Sequence, residues 1–214
     1  MLYFILGICC ALAIYFYALS LAKKHQTEYI NQYQPPQRVM EKVQSTYPHL
    51  NQSDMDLVIA GLKEYFLLCH SAKRRMIAMP SQVVDVAWHE FILFTREYTQ
   101  FCKKAFGKYL HHTPAEAMIS ATSAQDSIKR AWRLACRREK INPRKPTGVP
   151  LLFAIDTLLN IPDGFQYALD CAVRNQSRYC ASHIGCGGGC SGGGCGGDSS
   201  GDGGCGGGCG GGGD

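Results

Sequence analysis

The chain has 214 residues, 22 Lys+Arg against 17 Asp+Glu for a formal net charge of +5, and 12 cysteines beside 24 glycines. Residues 1–22 carry no charge and residues 185–214 are mostly glycine, which leaves roughly 150 residues, enough for one domain of ordinary size with a real core. All 22 cations lie between Lys23 and Arg178 against 14 acids there, so this middle part carries +8; such a body suits an acidic surface, and since no nucleic-acid module accompanies the charge, no nucleic acid is expected.

Residues 1–22, MLYFILGICCALAIYFYALSLA, match a membrane-spanning helix, which needs ~20 apolar residues. No basic residue precedes the run and no small-x-small site follows a short apolar core, so an anchor is favoured over a cleaved signal peptide. Cys9 and Cys10 are small residues compatible with lipid. Lys23, Lys24 and His25 follow at once. The positive-inside tendency then places the body in the cytoplasm, on a single-pass protein of the inner (cytoplasmic) membrane.

Residues 23–52 read as a polar spacer with Pro35-Pro36 and a short helix around Arg38–Thr46, and residues 53–179 as a helical domain. Ser53, with Asp56 three residues on, marks a helix start. Val58, Leu62, Tyr65, Phe66 and Cys69 supply its apolar face, and Lys73-Arg74-Arg75 suit its C-terminus.

The stretch Met79–Pro114 is the richest. Ser81 is a suitable N-cap. Val84, Trp88, Phe91, Thr95, Tyr98 and Cys102 recur at spacings of three and four, predicting one long helix. Gly107 can close it in the left-handed conformation. Asp85 and His89 lie one turn apart on one side. Beyond them, Thr113-Pro114-Ala115-Glu116 predicts a new helix start. A helix over about Ala124–Lys140 follows, with Ile128, Ala131, Trp132, Ala135 and Cys136 inside and Lys129, Arg130, Arg133, Arg137 and Arg138 mostly outside. After a Pro/Gly loop, Leu151–Leu159 and Phe165–Arg178 read as two further helices around the turn Ile161-Pro162-Asp163-Gly164. No alternating run predicts a strand. The fold class is all-α, with an anchor, five or six helices in the body, and a disordered Gly/Cys-rich tail over residues 180–214.

The motif Asp85-x-x-Trp88-His89, followed by Tyr98, Cys102, Phe106-Gly107 and His112-x-Pro114, resembles the core of the glycine-rich domain-containing protein-like family. It is most similar to small membrane-anchored bacterial members that end in a Gly/Cys-rich tail. The resemblance continues through Pro150-Leu151-Leu152-Phe153-Ala154-Ile155-Asp156 and Asp163-Gly164-Phe165-x-Tyr167, covering roughly residues 45–175. It implies no activity.

Four side chains bear the chemistry of the body. Asp85 and His89 can act as a carboxylate-oriented metal ligand or a general base, or as a satisfied core pair. If the helix from His89 runs unbroken to Gly107 it spans ~27 Å, whereas the five residues back to His112 reach ~17 Å. A site joining Asp85, His89 and His112 therefore requires a kink or an early helix end. Cys102 with His112 is a candidate thiol–imidazole pair. In the tail, Cys180, His183, Cys186 and Cys190 have the spacing of a four-ligand site for zinc or another transition metal. The leading expectation is a membrane-anchored binding or scaffold domain with metal binding, non-enzymatic. The alternative is a metal- or thiol-dependent enzyme using Asp85, His89, Cys102 and His112. Anionic lipid headgroups are the partner expected for the basic helix Lys129 to Lys140.

Overall fold

In the computed structural model, which describes residues 2–73, 75–112, 121–169, 179–180 and 184, the apolar N-terminal run forms the first part of α1, Leu2–Gln32. Its large side chains from Tyr3 to Leu21 are exposed, and the helix is long and apolar enough to cross a membrane. The helix does not stop where the charges begin. Ile30 is fully buried, and the Tyr33 ring lies 4.5 Å from Phe101 and 5.6 Å from Phe91. The expected spacer is thus part of the body. Val39 and Val43 on α2, Gln37–Thr46, are buried, as are Tyr47 and Leu50 just after it. The polar composition of this stretch hides an amphipathic helix whose few apolar residues all face inward.

α3, Gln52–Ala72, is the central element, touching α1, α4, α6 and α7. It starts two residues before the predicted Ser53 cap. Asn51 accepts from the Asp54 N–H at 3.1 Å, and the Asp54 carboxylate accepts from the Asn51 N–H at 2.9 Å. This reciprocal capping box satisfies two backbone donors at once, which Ser53 cannot do from inside the first turn. At Gly61, a β-carbon would lie 2.9 Å from both Ile155 and Val84, so the missing side chain is what lets α4 and α7 approach α3.

The predicted long helix is two: α4, Gln82–Leu93, and α5, Thr95–Phe106. Phe94 leaves the helical region with φ −80° and ψ 62°, and Thr95, expected on the apolar face, is exposed. Gly107 closes α5 with φ 70°. Phe66, Phe91 and Phe101 meet at the centre, with ring centroids 4.8–6.4 Å apart. α6, Ala121–Arg138, buries Ala131, Trp132, Ala135 and Cys136 as its pattern implies. α7 spans Leu151–Leu158.

Residues 165–169, expected to begin a helix, are not helical. Instead β1, Tyr167–Ala168, pairs in parallel with β2, Tyr179–Cys180. The expected helix start at Thr113–Glu116 and the tail ligands His183, Cys186 and Cys190 lie outside the described residues. Among the described residues the body holds six helices and this single two-residue pairing.

One buried carboxylate ties α4 to α7. Asp156 is only 2 % exposed, yet it accepts from the Ser81 hydroxyl at 2.7 Å, the Gln82 and Val83 N–H groups at 2.7 and 3.2 Å, and the Phe165 N–H at 2.8 Å. Ser81 in turn accepts from the Val84 N–H at 3.3 Å. A negative charge at a helix N-terminus meets the positive end of the dipole as well as its free donors. Gly164 belongs to the same junction, since a β-carbon there would lie 2.7 Å from that of Asp156. Asp156→Ala leaves several buried donors unpaired, each costing ~1–3 kcal/mol, so the full chain in detergent should lose about 3 kcal/mol or more in urea unfolding, with Asp156→Asn recovering part. A loss below about 1 kcal/mol, the cost of an ordinary cap, would remove Asp156 from this role.

Candidate metal centre

Asp85 lies in the first turn of α4 and His89 one turn later, as their spacing implies. His112 follows α5 and Gly107 on the segment that doubles back along α4. The relay that holds this segment begins at Trp88, which is 3 % exposed. Its indole Nε1 donates to the Tyr98 hydroxyl at 3.0 Å, and that hydroxyl donates to the Leu110 carbonyl at 2.6 Å. In an unbroken helix, Trp88 and Tyr98 would be separated by ~15 Å along the axis. The break at Phe94 turns α5 back and makes the relay possible.

Leu110 fixes His112, whose ring sits 4.5 Å from that of Trp88 and 4.1 Å from that of His89. His112 Nε2 is 3.0 Å from Asp85 Oδ1, His89 Nε2 is 3.4 Å from His112 Nδ1, and His89 Nδ1 is 3.7 Å from Asp85 Oδ2. One proton arrangement satisfies two sides of this triangle: His112 Nε2–H donates to the carboxylate, and His89 Nε2–H donates to His112 Nδ1. The third side then sets a bare nitrogen lone pair of His89 against a carboxylate oxygen. Two acceptors facing each other lack an electropositive partner, which a proton or a metal ion can supply.

The three residues can each offer one ligand atom with all three atoms within 4.8 Å of one another. For ligand bonds of ~2.1 Å, tetrahedral neighbours stand ~3.4 Å apart, so a small side-chain adjustment brings two imidazoles and a carboxylate around one ion. Two nitrogens and one oxygen are the donor set of zinc sites with an open position and of non-haem iron sites. Exposure fits an open site. The His89 side chain is 50 % exposed, while those of Asp85 and His112 are 23 % and 14 % exposed.

The four body residues singled out from the sequence therefore separate. Asp85, His89 and His112 come together, and Cys102 does not join them. Cys102 is fully buried on α5 beside Tyr98 and the Leu110 backbone, and burial raises its thiol pKa. The thiol of the candidate Cys102–His112 pair instead faces the Leu110 backbone and the Tyr98 hydroxyl, as inert packing on an apolar helix face implies. Cys69 and Cys136 are also buried, their thiols pushed up to about 12 and about 11. Of the tail set, only the backbone of Cys180 is described, within β2. Trp88 and Tyr98 build the site without entering it; their spacing marks only an apolar face, and the polar atoms they carry are the signal for this role.

Fold and site together define an all-α domain, continuous with a helix long enough to span a membrane, that displays a two-histidine, one-aspartate cluster. Residues 25–186 match the family model described as UCP032817-like, and the chain belongs to that family. No curated protein and no solved structure matches it.

Trp88→Ala should cost ~3–5 kcal/mol, the range for a buried large aromatic, whereas His89→Ala should cost little, because its side chain is half exposed. Chemical unfolding of the two variants checks this, and the reverse order would make His89 a structural residue. For the cysteines, peptide-resolved alkylation of the folded, reduced chain near neutral pH should leave Cys69, Cys102 and Cys136 almost unmodified, because little reactive thiolate forms at a raised pKa. Rapid modification of Cys102 would restore the thiol to the active set.

Proposed function

We propose that this protein is a membrane-anchored helical module that binds a divalent transition metal ion, zinc being the best match, through Asp85, His89 and His112. The observation that carries the reading is the convergence of these three side chains across the break at Phe94. Asp85 and His89 come from α4 and His112 from the segment after α5, so three possible ligands from the two ends of the α4–α5 unit meet at one point. When bound, the ion supplies a Lewis acid with positions left for water or a partner's ligand. The chain's own residues supply the rest: Trp88 buttresses His112, and the Tyr98–Leu110 bond sets its height on α4.

Anchoring completes the reading. α1 continues without interruption from its apolar part to Gln32 and is buried at Ile30, so cleavage near residue 22 would cut an intact helix whose end belongs to the core. The charges that begin at Lys23 favour a cytoplasmic body. The motif's resemblance to the glycine-rich domain-containing protein-like family fits the same reading, since its Asp85, His89 and His112 are the three residues of the cluster. A metal-dependent enzyme is the second reading, favoured only by the exposure of His89, which leaves room for a metal-bound water.

Metal analysis tests the proposal. The purified full chain should hold about one zinc equivalent that survives replacement of Cys186, Cys190, Cys195, Cys205 and Cys209 by serine. Asp85→Asn, His89→Ala and His112→Ala should each weaken it by more than the ~10–100-fold typical of losing an outer-shell partner. Zinc retained by all three variants but lost with the tail cysteines would overturn the assignment in favour of the tail.

A further inference from the structure

Charge and shape coincide at a second place, where α1 leaves its apolar part and meets the body. A cavity of about 760 Å³ opens there, lined by Lys23, Gln26, His70, Lys73, Gly107 and Lys108 among others. Three elements contribute: α1, the C-terminal end of α3, and the turn after α5. The three lysines are exposed, and none has a carboxylate partner among the described residues. On α6, Lys129, Arg133 and Arg137 likewise have no carboxylate partner among the described residues, while two other cations are engaged. Arg138 pairs with Glu64, and Arg130 donates to the Met76 carbonyl.

The lining also includes Cys69 and Phe106, and two of its polar side chains pair with each other. His70 Nε2 lies 3.0 Å from Gln26 Oε1. Burial, with the positive field of Lys23 added, holds the His70 pKa below its usual value. Lys73 takes a positive φ of 61° at the end of α3, a conformation a lysine rarely adopts. A positively charged, hydrogen-bonding hollow with unpaired ammonium groups suits a phosphate ester.

Depth along α1 selects the source of that phosphate. Lys23 is the first charged residue of the chain, and 22 residues of helix span ~33 Å, close to the ~30 Å hydrocarbon thickness of a bilayer. With α1 across the membrane, the cavity mouth lies in the headgroup layer. We infer that this hollow, formed by Lys23, Lys73 and Lys108 around Gln26 and His70, binds the headgroup phosphate of an anionic phospholipid and seats the body on the membrane. The inference rests on the anchor reading and is independent of the metal. It moves lipid contact from the α6 basic face to the α1–α3–α5 junction.

The test uses the full chain reconstituted in nanodiscs of phosphatidylcholine with a minor fraction of phosphatidylglycerol, followed by native mass spectrometry of the lipid retained on extraction. The wild-type chain should retain phosphatidylglycerol selectively. Each neutralised lysine should lower that retention by about fivefold, the equivalent of ~1 kcal/mol per cation near the surface. Lys23→Gln/Lys73→Gln/Lys108→Gln together should therefore lose about 100-fold, while Lys129→Gln/Arg133→Gln/Arg137→Gln on α6 should retain the lipid. Circular dichroism checks that both triple variants keep the fold. Selective retention unchanged by the three junction substitutions, or abolished by the α6 set, would overturn the inference. Displacement of the lipid by excess inorganic phosphate would overturn it in favour of a free anion. Alkaline carbonate extraction separates the underlying reading: a chain released by carbonate sinks the anchor itself, whereas a chain that stays embedded but shows no lipid preference sinks only the headgroup site.

Discussion

The bond from Trp88 to Tyr98 and on to the Leu110 carbonyl is the constraint on which the site depends. An indole N–H and a phenol O–H buried together each need an acceptor, because an unpaired buried polar group costs ~1–3 kcal/mol. The two residues meet that need in series, ten positions apart, and only a chain that breaks between them can do so. Phe94 is where it breaks. The segment after Gly107 is thereby drawn back along α4, and His112 arrives beside His89 and Asp85. The site is a consequence of satisfying two aromatic polar groups in an apolar interior.

Local signals in the sequence were a good guide wherever one element decides the outcome. The Ser81 cap, the Gly107 closure, the amphipathic stripe of α6 and the Asp85/His89 spacing all follow from short-range chemistry, and each is present. The break at Phe94 was not legible. Thr-Arg-Glu-Tyr continues the helical pattern without glycine or proline, and what overrides it is a tertiary bond between residues on either side. Distance reasoning did expose the consequence, since three residues too far apart on one helix can meet only if that helix is interrupted. The polar stretch before α3 misled for a different reason. Tyr29, Ile30, Tyr33, Val39 and Val43 are sparse among glutamines and charges, and composition averages them away although each is turned toward the core.

The resemblance motif divides along the same line. Asp85, His89 and His112 are the site, whereas Asp156 and Gly164 are the joint that holds α4 to α7. Asp163, in the same run, accepts from the Tyr47 hydroxyl at 3.0 Å and so ties the loop after α7 to the end of α2. Sequence spacing could not assign these carboxylates to structure, because all their partners but Phe165 lie 73 to 116 positions away. A buried aspartate that caps a distant helix looks, in one dimension, like any acidic residue near a glycine. Its role becomes visible only when the donors it satisfies are counted.

The two candidate sites also share one stretch of chain. Gly107 and Lys108 line the basic hollow beside α1, while Leu110 and His112 belong to the Trp88 relay and the Asp85–His89–His112 cluster. The four Cα steps from Lys108 to His112 span at most ~14 Å, and their middle is pinned by the Leu110 carbonyl. α5, which carries this stretch, is also the helix against which the rings of Tyr29 on α1 and Tyr33 just after it lie. A headgroup drawing on Lys108 and an ion drawing on His112 would therefore act on one segment from opposite ends, with the membrane helix as the fixed frame. Coupling of this kind needs no distant pathway, only that both ligands bear on the same few residues.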